Sequence, residues 1–172
     1  VTAPAQYVPS IAIDAIFDAV GAFIQPFVGT AQVVRAQVNR VPMPASGFVE
    51  LTEIGNVDIE VPRSWYDGVN SQEDFIGPKK LAIQADFYGV SAADWCAAVK
   101  TVWRTSYATA QFAPGIAPLY CDDAHEAPLI TGEEQYERRW TMTCYVQYNP
   151  VVIVPLQSAD ELSMNIVDNV VS

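Results

Sequence analysis

The chain holds one histidine, three cysteines and nine lysines and arginines in 172 residues, and each shortage removes a class of function. A single imidazole, His125, gives little material for a histidine-based metal site or for a catalytic triad. Cys96, Cys121 and Cys144 are odd in number and widely spaced, with no C-x-x-C pair, so neither a zinc ribbon nor a dithiol redox motif is indicated. They read as small apolar fillers, reduced where the protein is made. The basic residues are outnumbered by 20 acidic ones, for a formal net charge of −11. A surface of that sign repels phosphate backbones at ordinary salt, which argues against tight wrapping of DNA or RNA. No uninterrupted apolar run reaches the ~20 residues that a membrane-spanning helix needs. P-loop, G-x-G-x-x-G and G-x-S-x-G motifs are absent as well. The stretch "YCDDAHEAP" crowds Asp122, Asp123 and Glu126 around His125, but its spacing fits no zinc or calcium loop. It reads as an acidic turn facing water or a partner's basic patch. The residues therefore offer no catalytic set, no cofactor and no metal.

What is present is the material of one folded domain. Apolar residues make up 51% and charged residues 17% of the chain, enough to bury a sizeable core and too little charge for a disordered polyelectrolyte. After "VTAPAQYVPS", a short tail over 1–9 followed by a candidate N-cap at Ser10, a helical stripe runs through Ile13, Ile16, Phe17, Val20, Phe23, Ile24 and Phe27. Pro26 should end this helix. Residues 31–41 are β-branched and loosely alternating until "PMP" breaks them. The alternation in 47–61 predicts a strand with a bulge or turn at Gly55-Asn56. Residues 62–80 read as a long loop that carries Trp65, Tyr66 and Phe75, residue types that dominate interfaces. A second strand over 80–89 sets Leu81, Ile83, Ala85 and Phe87 on one face. A second helix follows over 91–107, with Ser91 as N-cap and Asp94 placed for a capping box. Short strands are expected at 116–121 and before Gly132. Residues 155–172 form a C-terminal extension with an apolar end. The order of elements gives α+β: a mostly antiparallel sheet flanked by two helices, in a single domain over 1–172.

The stretch "QYERRWTMTCYVQYNP" reads as one strand from Gln135 to Tyr148. Trp140, Met142, Cys144, Val146 and Tyr148 share one face, and Arg139, Thr141, Thr143, Tyr145 and Gln147 the other. Such a strand would span roughly 45 Å, against a usual length of about 5–6 residues. One end should belong to the core, and the charged end, with Arg138, Arg139 and neighbouring glutamates, should project or lie on a subunit edge.

Several segments in order resemble the neck or tail terminator proteins of long-tailed bacteriophages: "QVNRVPMP" with "GFVEL", "QADFYG" before a Trp-containing helix, and above all "PLYCDD", "GEEQYERRW" and "QYNP". The resemblance covers about residues 10–160. It implies a ring-forming, non-enzymatic virion subunit that assembles in the host cytoplasm as a homo-oligomer, with six copies expected. It also implies a place between the tail tube protein and a head connector or stopper protein, around a channel through which DNA passes without specific binding. On that reading Trp65, Tyr66, Phe75, Asp122, Asp123, Arg138 and Arg139 are candidate subunit or partner contacts. Glu73 and Asp74 are candidate channel-lining acids. The arginines would meet Asp122 or Glu133 of the same or an adjacent copy. Two other readings stand beside it: a head-closure or tail-completion ring, and a small-molecule binding module built on the same sheet.

Overall fold

The computed structural model of the protein describes residues 7–36, 44, 47–127, 129–130 and 136–156, with the side chains of 129–130 and 136–137 left aside. Its frame is a sheet of five strands in the order β1-β2-β5-β10-β6: β1 (Gln32–Arg35), β2 (Phe48–Asp58), β5 (Lys79–Tyr88), β10 (Arg139–Tyr148) and β6 (Ile116–Cys121). The two-residue strand β7 (His125–Glu126) joins it by pairing with β10. Only β1 and β2 run parallel; the remaining pairs are antiparallel. Helices α1 (Ile13–Val28) and α2 (Ala92–Trp103) cover one face. A third helix, α3 (Ser106–Gln111), is short. The architecture is the expected α+β type.

The face under the helices is set by alternation. On β5, Leu81, Ile83, Ala85 and Phe87 are fully buried, and opposite them on β10 stand Val146, Cys144, Met142 and Trp140 in register. From α1 come Ile16, Val20, Phe23, Ile24 and Val28, and from α2 Cys96, Val99 and Trp103. Phe23 meets Trp103 edge-on at 5.3 Å and Phe112 at 5.8 Å between ring centroids, geometries that aromatic quadrupoles favour. Gly89 closes β5 at φ +108°, where a Cβ would come within 2.9 Å of the Gly47 Cα. Both the torsion and the close approach require glycine there.

Two helix boundaries differ from expectation for identifiable reasons. Helix α1 passes through Pro26 and ends at Val28. Proline's fixed φ is itself helical, and the lost bond falls in the last turn, where burial of Val28 and the Phe23–Phe27 contact at 5.4 Å hold the chain. Gln25 adds bonds from Nε2 to the carbonyls of Gly29 and Ala31, both 2.9 Å. Ser10 does not cap the helix; the N-cap is Ala12. Instead Ser10 donates its N–H to the Val151 carbonyl at 2.9 Å and accepts from the Val151 N–H through Oγ at 3.0 Å. Ser91 is the N-cap of α2 but makes no side-chain cap bond. The 91–107 stretch splits at Thr105, which is extended and whose Oγ1 accepts from the Ala108 N–H to start α3.

The largest departure lies in the expected 62–80 loop. It folds into a hairpin of β3 (Arg63–Asp67) and β4 (Gln72–Ile76), and β5 starts at Lys79. The turn formers concentrate in the tip, where the Asp67 carboxylate accepts from the N–H groups of Val69 and Asn70, the local bonding that favours Asp at turns. A further strand, β11 (Val151–Pro155), pairs with β4, giving a second sheet in the order β11-β4-β3.

The long strand expected from Gln135 to Tyr148 also divides. Residues Arg139–Tyr148 pair with β5 along their whole length, while β9 (Tyr136–Glu137) pairs with β8 (Leu129–Ile130) in a separate two-stranded ribbon. Of the expected charged end, Tyr136–Glu137 leave the main sheet after a break at Arg138, whereas Arg139 stays within it. Gly55 lies at a register shift in β2, the anticipated bulge. Residues 37–41 of the loosely alternating stretch, and 157–172 of the C-terminal extension, lie outside the described residues.

Replacing Ile83 by Ala should destabilise the fold by about 2–5 kcal/mol, the usual cost of truncating a fully buried aliphatic chain. Val69→Ala at the exposed hairpin tip should stay within about 0.5 kcal/mol. Urea unfolding of the two variants checks the contrast.

Candidate subunit interface

Exposed apolar side chains gather on and around the second sheet and at the end of β2. Trp65 and Tyr66 on β3 are about half exposed, and Val61 and Val69, on either side of that strand, are 83% and 93% exposed. Ile54, Val57 and Ile59 in β2 and just after it, and Ile153 on β11, are exposed as well. β3 stands at the end of the sheet order, so one side of its backbone has no ladder partner among the described residues. An edge strand with aromatic side chains offers both main-chain pairing and apolar anchoring to another chain.

Register decides which side chains share a face. Asp74 lies opposite Trp65 on one side and Ile153 on the other, and Glu73 opposite Tyr66 and Val154. Trp65 and Asp74 therefore occupy one face, and Tyr66, Glu73 and Phe75 the other. The expected channel pair is divided: a wall made by one face of this sheet takes Glu73 or Asp74, not both. Asp74 accepts from Gln72 Nε2 at 3.1 Å on its own face.

The second candidate region is the polar face of the main sheet, where an acidic corner meets Arg139. Asp122, Asp123, His125, Arg139, Thr143 and Gln84 line a groove of about 320 Å³. The expected contacts between Arg139 or Arg138 and Asp122 do not form within the chain. Arg139 stands opposite Tyr88, one diagonal step from Asp86, and grips it with two bonds, Nε to Oδ1 at 3.1 Å and Nη2 to Oδ2 at 2.9 Å. The Asp86 carboxylate raises the pKa of this guanidinium. Asp86 is 2% exposed and takes a further bond from Gln84 Nε2 at 2.8 Å. Arg138 lies off the groove and pairs with Glu126 at 3.6 Å. Asp122 accepts from the Tyr145 hydroxyl at 3.0 Å, and that bond raises the phenol's pKa. Asp123 pairs with Lys100 of α2 at 2.8 Å, which lowers its own pKa and raises the lysine's. Glu133 lies outside the described residues.

Some of these partners carried no sequence signal. Asp86 sits in an alternating strand where an acid reads as solvent-facing, and Lys100 lies on a helix 23 residues from its partner. The stacking of Tyr120 on Tyr145 at 4.5 Å, with Lys80 Nζ 5.2 Å from the Tyr145 ring, requires the β6–β10 pairing to be known. Among the described residues, no three His, Cys, Asp or Glu side chains are grouped to hold a metal ion. No described helix is long and apolar enough to cross a membrane.

The structure is thus a helix-backed sheet with Arg139 paired to the buried Asp86, beside a small sheet with an open edge that carries exposed aromatic residues. The family model for phage neck terminator proteins matches residues 14–170, and the chain belongs to that family. It is a bacteriophage neck and tail terminator component of the virion. Among solved structures, the sheath/tube terminator of PVC, an extracellular contractile injection system, in its extended state, shares the fold with a TM-score of 0.51 at 10% identity. That likeness covers 96% of this chain and 67% of the other. No curated protein matches the chain.

Arg139→Met should cost about 3 kcal/mol, since it leaves the buried Asp86 carboxylate without its counter-charge. Arg139 keeps a quarter of its side chain in water, which places the effect at the low end for such pairs. A second substitution, Asp86→Leu, should recover most of the loss, as measured by a double-mutant cycle in denaturant.

Burial pushes the Tyr88 phenol up to about 12. A raised acid pKa means that the folded state favours the neutral phenol. Its contribution is therefore complete below about 10, the pKa of a free tyrosine, and is lost as pH climbs through the folded value. Ultraviolet titration should show a late ionisation that Tyr88→Phe removes.

Proposed function

We propose that copies of this chain close into a ring, six-fold as the terminator resemblance implies, which caps the tail tube, joins it to the head connector and leaves a channel for DNA. The observation that carries the reading is the apolar open edge of the β11-β4-β3 sheet in a chain of the neck terminator family. A ring uses heterologous contacts, in which one patch meets a different patch on the neighbour and rotation closes the set. The β3 edge, with Trp65 and Tyr66, supplies one patch. The acidic corner at Asp122 and Asp123, and separately Arg138, supply polar contacts that fix register. The PVC protein that shares the fold is itself a terminator of a sheath and tube. The net charge of −11, repeated around a ring, would favour a channel wall to which phosphates do not adhere.

Light scattering of the purified chain, alone and with its cognate tail tube, tests the assembly. Trp65→Asp should raise the concentration needed for ring formation or tube capping by about tenfold or more, the cost of a lost aromatic anchor, while leaving the melting temperature of the subunit unchanged. A chain that remains a monomer beside its tube would refute the ring.

The two acids of β4 separate the channel question from the ring question. If the face with Asp74 lines the channel, Asp74→Lys slows DNA ejection and Glu73→Lys does not. The reverse result assigns the other face, and unchanged ejection in both removes this sheet from the wall.

A further inference from the structure

The described residues hold three thiols, and two of them face one another across a ladder. Cys121, the last residue of β6, is the direct register partner of Cys144 on β10. Their Sγ atoms are 3.2 Å apart. Partners opposed in an antiparallel pair have Cα atoms about 4.5–5.5 Å apart, within the roughly 4.4–6.8 Å span that a disulfide bridges. The remaining gap between the sulfurs closes by small χ1 rotations and a modest approach of the strands. β6 is suited to that approach: it is the outer strand of its sheet, and the β6–β10 register shifts between Cys144 and Val146, just beyond the pair.

We propose that Cys121 and Cys144 form a reversible cross-strand disulfide, a modification site that locks the outer strand of the sheet to its neighbour β10. The chemistry is thiol–disulfide exchange with a small disulfide such as oxidised glutathione. Cys121 is partly exposed, whereas Cys144 is buried, so Cys121 makes the first attack. Its thiolate displaces one glutathione thiolate and forms a mixed disulfide. Cys144 then gives up its proton to the solvent or the departing thiolate, and its sulfur attacks Cys121 Sγ, expelling the second glutathione. Two protein thiols are oxidised and one glutathione disulfide is reduced to two thiols. The Cys144 thiol is held well above its usual pKa by the Cys121 contact and by burial, which makes the second step the slow one. Cys96 is the third thiol nearby. Burial on α2 pushes it up to about 11, and a Cys121 thiolate would repel its own.

The context of use rests on the virion reading above. A chain made in reducing cytoplasm keeps its thiols, whereas a released particle meets oxidising surroundings in which disulfides persist. Closing the segment between Cys121 and Cys144 restricts the unfolded chain and so protects a neck that must survive outside the cell.

The test uses the purified chain incubated with oxidised glutathione. The expected result is a fall from three free thiols to one, a mass lower by two hydrogens, and a peptide map that joins Cys121 to Cys144 with Cys96 free. The melting temperature should rise by about 5–10 °C and return on reduction. Cys144→Ser should hold one glutathione on Cys121 and gain no stability; if that variant fails to fold, Cys121→Ser, which should gain neither bridge nor glutathione, replaces it. Three thiols that persist after incubation, a stable glutathione adduct on the wild-type chain, or a bridge to Cys96 would each overturn the proposal. Because the readout needs no tube and no ring, it succeeds or fails separately from the terminator assignment.

Discussion

The pairing of β5 with β10 is the constraint on which the rest of the molecule depends. Ten consecutive residues of each strand are in antiparallel register, from Tyr88 opposite Arg139 to Lys79 opposite Tyr148. Because side chains alternate along a strand, this register decides both faces at once. It sets Leu81, Ile83, Ala85 and Phe87 beside Val146, Cys144, Met142 and Trp140 under the helices. On the opposite side it sets Asp86 within reach of Arg139. A slip by one residue would expose the apolar row and bury the polar one, so the core and the ion pair specify the same alignment independently. The buried pair need not add much stability to do this. Its cost when misaligned is enough.

Outward from that pair the restraints thin. β2 follows β5 faithfully as far as Glu53, then shifts register at the Gly55 bulge, and its end and the segment beyond it carry exposed Ile54, Val57 and Ile59. β6 is held on one side only. The three-stranded sheet lies beyond the helix-backed core. Its link to the N-terminal segment is the pair of bonds between Ser10 and Val151. Apolar surface is thus concentrated where the fold places fewest of its own side chains. That separation suits a subunit whose stability and whose assembly draw on different residues. A substitution at the β3 edge can change association without unfolding the core.

Much of this was legible in the sequence wherever a strong period ran for a whole element. The stripe from Ile13 to Phe27, the alternation from Leu81 to Phe87 and the two faces of the 139–148 strand each follow from spacing alone, because tertiary packing reinforces the local pattern there. The β3–β4 hairpin was not legible. Its strands are five residues each, and "RSWYD" and "QEDFI" mix charge with aromatic residues on both faces, so neither shows the apolar alternation of a half-buried strand. The proline in α1 misled for a related reason: local propensity argues for a stop, and the burial of Val28 outweighs it. Of the candidate contacts, the sequence placed Trp65 and Tyr66 in a loop, where the structure has an exposed strand, and Asp122 and Asp123 in an acidic turn. It could not show that Trp65 and Tyr66 face opposite ways, or that Arg139 is already engaged.

That engagement narrows what a partner can use. A guanidinium bound twice by a buried carboxylate is not free to meet a neighbour without leaving Asp86 uncompensated, a substantial penalty in a site so little exposed. Arg138, half in water and paired to an exposed Glu126 at 3.6 Å, exchanges partners at little cost, as surface pairs do. Adjacent in sequence and alike in chemistry, the two arginines therefore differ in freedom: Arg139 is held at the register it helps to fix, and Arg138 can exchange its partner. The same reasoning applies among the acids. Asp123 is itself fully exposed, and its pair with the partly exposed Lys100 screens in salt, so it can turn to an incoming cation, whereas Asp86 cannot. Charge that is both available and exposed lies at the corner where β6 leads into β7. The exposed aromatic pair Trp65 and Tyr66 lies elsewhere, on the β3 edge, so free charge and that exposed apolar area occupy separate parts of the surface.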